Sequence, residues 1–481
     1  MKTHLAELFD AALEEVIKAI LVELKKGRRP QQIVEPELSF RQNGMPSISD
    51  GSPFARNGRA EYASLLEPPY NDDEARRVGK YPAAKFPALH DFIDYALSSP
   101  PDAPGLADPL PAELGHIDMR FRVERAAETY FQRCQETAST RAARELAARS
   151  TLKGMQEPVL ELAMVVPIAL TRFEPDRFRF GPDLFLMRMS PALQRARWSA
   201  KTYGGGAHEA VLAAATHAFV LTGRTIPNGN FFQFAQSLSR PDPVARETID
   251  VLFAALRLAS GVSTGSAQEL WLGRGWSVHH PDRPEVIGIG VRRYPDWMND
   301  FGWIRDEVPL VTRGQLLRVR QIYRSVRDIS DMRLGLALRR LNAAMMRDDS
   351  ADAILDATIA LEILLGDDDS QAISWKLRMR AAALAGIVGD HAAMLKMRDA
   401  LARVYSIRSR IVHGVRGRKQ SSSSARQAAI EEAEEGARLA IESLRSVLNI
   451  LVDNRRYFDP LAIDSELMLV PDQSPGGTRR T

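Results

Sequence analysis

The sequence predicts a multidomain, mostly α-helical protein with an α+β middle region and a C-terminal helical bundle. Three observations carry this. The 481 residues exceed what one hydrophobic core normally organises. Residues 157–312 alternate β-branched and aromatic runs with Pro and Gly turns and helical stretches. From 313 to 455 the periodicity is almost wholly helical. A hydrophobic fraction of 45% is ordinary for folded domains, so core formation meets no compositional obstacle.

The first region, 1–150, reads as mainly helical with Pro- and Gly-rich connections. Residues 5–26 form an amphipathic helix ending in a basic, Pro-terminated stretch. Residues 28–60 read as a long connection with short extended pieces, and 70–112 as a Pro-rich stretch with one apolar patch at 90–97. Ala, Arg and Glu dominate 117–150, which predicts one long helix or a pair. In the second region, 157–312, two or three strands are expected near its start. Helices are expected over 207–221 and 241–259. A strand pair follows at 275–295, with Ile-Gly-Ile-Gly-Val as a buried strand.

The third region, 313–458, holds six helical patterns. In the third of them Ile354, Leu361 and Leu365 share a face, and Gly366 stands at its end as a C-cap. Ser370 is placed to cap the next, with 367–369 supplying favourable charge. The last carries Ile430, Ala433, Ala437, Ile441, Leu444, Leu448 and Leu451 as one stripe. These patterns make a bundle, and 459–481 reads as a flexible tail.

Composition narrows the function classes. Lys+Arg 64 against Asp+Glu 61 gives +3, so any nucleic-acid surface must be local. The single cysteine, Cys134, makes neither an intramolecular disulfide nor a thiolate metal site, and reads as an inert thiol on a helix. The N-terminal apolar residues are interrupted by Glu, Asp and Lys, unlike a secretory signal, and no uncharged stretch is long enough to span a bilayer. A cytoplasmic location without membrane association is the expectation. Gly204-Gly205-Gly206 lacks the Gly-Lys-Ser/Thr of a phosphate loop. His208 and His217, nine apart on the expected helix, face opposite sides. His279-His280 and 367–369 lack a ligand set, so neither metal nor cofactor is expected.

Chemistry concentrates at the end of the fifth helix of the bundle, where Tyr405, Arg408, Ser409, Arg410 and His413 precede Gly414. Arg403, Arg416, Arg418 and Lys419 surround them as a candidate RNA-binding patch. Arg grips phosphate through a planar fork that keeps its charge. His exchanges protons near neutral pH. The pair suits metal-free RNA cleavage, in which a base takes the 2′-OH proton, that oxygen attacks phosphorus, and a cation stabilises the developing charge. Ser409 and His413, at i and i+4, share a helix face, whereas Arg408 lies about 140° from His413. Convergence therefore requires a bend near Gly414 or two copies meeting in a dimer. An Arg and a His near a helix C-terminus also simply complement the helix dipole.

The order of motifs resembles the Apea-like branch of the HEPN family over about 335–455. Asp356, Leu361-Glu362 and Leu364-Leu365 match its acidic helix, Lys376-Leu377-Arg378 its Arg-bearing helix, and Tyr405 through Gly414 its Y-x-I-R-S-x-I-V-H-G segment. The resemblance implies a HEPN-type bundle that homodimerises and acts as a metal-independent ribonuclease in antiphage defence or a toxin system. Arg408 would bind phosphate and His413 act as acid and base. Ser409, Arg410, Tyr405 and Glu362 would support them, Glu362 through a partner such as Arg378. Ser409 stands where active members often carry Asn, Asp or His. Residues 1–312 would sense a phage or cellular trigger. The alternative is a catalytically silent module for nucleic-acid or nucleotide binding and dimerisation.

Overall fold

The computed structural model describes residues 3–52, 58–68, 80–106, 110–134, 139–201, 206–229, 238, 242–277, 284, 286–328, 332–367, 371–413 and 423–468. The protein is mostly helical with a sheet region in its middle. It folds as two compact units, one comprising 1–168, 181–243 and 266–292, the other 169–180, 244–265 and 293–481. Residues 1–150 fall in the first and 313–458 in the second. The α+β region is divided between them, because its chain passes back and forth.

In the first unit, α1 (His4–Lys25) buries Leu5, Phe9, Leu13, Val16, Ile17 and Ile20 as one stripe. Four short strands follow in the expected long connection, β1 (Gln31–Ile33), β2 (Glu37–Phe40), β3 (Pro46–Ser49) and β4 (Arg59–Glu61). The apolar patch is α2 (Pro87–Leu97), whose Phe92 meets Phe9 edge-on at 5.1 Å. The Ala-, Arg- and Glu-rich stretch is a pair, α3 (Ala112–Cys134) and α4 (Arg141–Gln156). Cys134 ends α3 half-buried against this core.

Beyond it come β5 (Val159–Pro167), β6 (Arg172–Phe173), β7 (Arg177–Arg179), β8 (Leu184–Arg188), α5 (Pro191–Ser199), α6 (Glu209–Ala213), β9 (His217–Pro227), α7 (Pro243–Ser260), β10 (Ser266–Gly273) and β11 (Val286–Arg293). Within the first unit the strand order is β11-β10-β5-β9-β8, with β5 antiparallel to both neighbours.

Three expectations change here. The helix over 207–221 is a single turn and a half. His208 caps α6 with its imidazole, while His217 opens β9 and is fully buried, so the two share no helix. The Ile-Gly-Ile-Gly-Val strand forms, but as the half-exposed edge β11 beside β10. His279, His280, Gly204 and Gly205 lie outside the described residues.

The second unit contains α7 and six further long helices, α8 (Arg313–Asp328), α9 (Met332–Ala344), α10 (Ser350–Leu365), α11 (Ile373–Val388), α12 (His391–His413) and α13 (Ser423–Asp453). Ile354, Leu361 and Leu365 are fully buried on α10. The stripe of α13 holds in its C-terminal half, where Leu444, Leu448 and Leu451 are buried. Towards its start it opens, and Ile430 is 52% exposed. Gly436 on α13 admits a close crossing, since a Cβ there would meet Ile407 of α12 at 2.7 Å and Ile354 of α10 at 3.2 Å.

Ionic hubs tie the helices. Asp356, almost fully buried, accepts from Arg340 Nη1 at 2.6 Å and Arg347 Nε at 2.8 Å. Asp367 is a partner of the buried Arg380 and of Lys376 rather than a solvated cap, and Ser370 lies outside the described residues. The first residues of the expected flexible tail are folded. A short helix (Pro460–Ile463) packs with Ile463 buried, and Asp464 bonds Arg380. Residues 469–481 are outside the described residues.

Candidate active site

On α12 the buried residues Leu401, Val404 and Tyr405 set a stripe at i, i+3 and i+4, and Arg408 occupies i+7 of that stripe. A cation on a core-facing row requires a counter-charge. Glu362, on α10 beside the buried Leu361, supplies it. Arg408 Nη1 lies 3.0 Å from Glu362 Oε1, and Nη2 donates to Oε2 at 3.4 Å. Both side chains are about one quarter exposed, at 28% and 27%, so the pair faces solvent at the rim of the core. The Tyr405 hydroxyl donates to Glu362 Oε1 at 3.4 Å, and the Arg408 guanidinium lies 5.6 Å from the Tyr405 ring centroid. Burial, reinforced by the Glu362 carboxylate, pushes the Tyr405 phenol well above its ordinary range. The Nε of Arg408 is buried without a hydrogen-bond partner.

Glu362 is held in place from its own helix end. Its carbonyl accepts the Gly366 amide at 2.8 Å, and a Cβ on Gly366 would meet that oxygen at 2.5 Å. Glycine is required there for close approach. The expected Glu362–Arg378 pairing is not made: Arg378 donates from Nε to the Ser374 carbonyl at 3.1 Å, and Arg408 takes the carboxylate.

The outer face of α12 differs. Arg403 and Arg410, i and i+7, are ion-paired across to α13 with Glu435 and Glu432, the latter at 2.6 Å. Arg410 holds the Glu432 carboxyl below its usual range. Thus each described cation of the segment, Arg403, Arg408 and Arg410, is matched by a glutamate, and the described part of the expected basic patch is charge-balanced. Arg416, Arg418 and Lys419 lie outside the described residues.

Ser409 is exposed on α12, which remains α-helical through His413. Arg408 and His413 therefore stay about 140° apart around one helix. No bend brings them together before His413, and Gly414 is outside the described residues.

Among the described residues no group of three or more His, Cys, Asp or Glu side chains is arranged to hold a metal ion. Among them, too, no helix is long and apolar enough to cross a membrane. No family model, no curated protein and no solved structure matches this chain.

Proposed function

We propose that the C-terminal bundle is a HEPN-type, metal-independent endoribonuclease acting in antiphage defence or a toxin system. The observation that carries this reading is the Arg408–Glu362 pair one helical turn and a half before His413. An arginine fixed by a partly exposed carboxylate at the rim of a core is preoriented, and its counter-ion can be exchanged for a phosphate. In this reading Arg408 binds the scissile phosphate. His413 takes the proton of the 2′-OH, the 2′-oxygen attacks phosphorus, and the P–O5′ bond breaks. The leaving 5′-oxygen receives a proton, leaving a 2′,3′-cyclic phosphate and a 5′-hydroxyl. A homodimer joining two copies of segment 408–413 across one cleft answers the 140° separation and supplies a second imidazole. Residues 1–312 would receive the trigger.

One observation favours the second reading, a catalytically silent nucleic-acid or nucleotide binding and dimerisation module. Arg408 is already neutralised by Glu362, and its neighbour Ser409 offers no ready acid or base. RNA incubated in EDTA with the protein and with His413→Ala separates the two. The nuclease reading expects fragments from the first and none from the second. Equal cleavage by both, or none by either under any activating condition, would overturn it.

A further inference from the structure

Among the described residues, α8 carries a row of arginines without carboxylate partners, unlike Arg403, Arg408 and Arg410 of α12. Arg313, Leu317, Arg320, Arg324 and Arg327 recur at i, i+4, i+7, i+11 and i+14. At 100° per residue they occupy an arc of about 80° on one side of the helix. The opposite side is core, with Leu316, Val319, Ile322 and Tyr323 buried. Arg313, Arg324 and Arg327 are exposed, and Leu317 is exposed among them. The helix contains one acid, Asp328, at its last position, and Glu174 meets its first turn by accepting the Arg313 amide at 2.7 Å.

None of these four arginine side chains takes part in an ion pair among the described residues. Arg320 lies over the Phe178 ring at 5.4 Å, and Arg327 donates to the Tyr323 hydroxyl at 3.3 Å. Arg318, off this face, is instead paired with Asp453. Phe178 sits in β7 (Arg177–Arg179) and is buried.

Like charges at i, i+3 and i+4 repel, so this face opposes its own helix until an anion lies on it. Arginine forks match phosphate oxygens, and a row of them matches a chain of phosphates. We propose that the outward face of α8 is a docking surface for the phosphate backbone of single-stranded RNA. The choice of RNA rests on the proposed activity at Arg408 and His413, whereas the charged face of α8 stands independently of it.

The test uses the full chain and a 2′-O-methylated oligouridylate, which cannot be cut through its 2′-oxygen, so its outcome is independent of catalysis. Affinity is measured across a salt series for the protein, for R320Q/R324Q/R327Q and for the corresponding triple lysine variant, with circular dichroism confirming that each is folded. Each phosphate contact on a single strand contributes about 0.7 to the log–log salt slope. The glutamine variant is expected to bind more weakly with a slope shallower by about 2, and the lysine variant to keep the slope. Unchanged affinity and slope in the glutamine variant would overturn the proposal. So would equal loss in both variants, or arginine-dependent binding to phosphatidylserine vesicles without binding to the RNA.

Discussion

Glu362 and Arg408, 46 residues apart in sequence, form the ion pair on which the candidate site is built, at 3.0 Å between Oε1 and Nη1. A phosphate reaching Arg408 must compete with this carboxylate. Glu362→Gln keeps the shape and removes the competing charge. For a partly exposed pair the effect is on the scale of ~1 kcal/mol, about fivefold in Kd. Uncleavable RNA is therefore expected to bind Glu362→Gln about fivefold tighter at low salt, measured by fluorescence anisotropy. Weaker binding would show that Glu362 serves only to orient Arg408.

Tyr405 contributes chiefly its buried ring. Its hydroxyl bond to Glu362 is long at 3.4 Å, and a neutral donor on a carboxylate at that length is weak. Tyr405→Phe is expected to change stability by less than ~1 kcal/mol in urea unfolding. Tyr405→Ala, which empties a buried position, is expected to cost roughly 3–5 kcal/mol.

How much of this was legible follows from which interactions are local. The stripe on α1 and the buried face of α10 were readable because amphipathic periodicity is a property of neighbouring residues. The start of β9 reads as helix in the sequence because its first half is covered on both faces. His217, Ala218 and Phe219 are all buried, and no alternation survives there. The strand β10 carries no strand signal in the sequence because the polar Gln268 and Glu269 are buried within it. At the site, sequence order placed Arg408, Ser409 and His413 on one helix end, but not the counter-charges. The partners of Arg408, Arg403 and Arg410 come from α10 and α13 through tertiary packing. The arginines of α8 read as a row in the sequence, but whether each meets a carboxylate is decided by tertiary packing.

The hub at Asp356 gives a prediction about the bundle alone. Its buried carboxylate has two half-exposed arginine partners. Either Arg340→Ala or Arg347→Ala leaves one cation in place. The double variant strands a buried charge, expected to cost roughly 3–5 kcal/mol and more than the two single effects combined. Chemical denaturation of the four proteins of this cycle measures it.

Acid should loosen the contact between α11 and the segment after α10. Arg380, and then Lys376, hold the Asp367 carboxyl below its usual range. A depressed folded pKa contributes stability that is present above the unfolded value, about 3.9. That stability is lost as pH falls through the folded value. Asp367→Asn is therefore expected to be less stable than the unaltered protein at pH 7, with the difference shrinking as pH is lowered below about 4. Thermal unfolding at stepped pH would detect it, and a difference independent of pH would exclude this origin.

The end groups of RNA fragments formed in EDTA test the central claim most directly. Attack by the 2′-oxygen, with Arg408 on the phosphate and His413 moving the proton, predicts 2′,3′-cyclic phosphate and 5′-hydroxyl ends by mass spectrometry, absent with Arg408→Ala and with His413→Ala. Fragments ending in 3′-hydroxyl and 5′-phosphate, or the same fragments from His413→Ala, would contradict it.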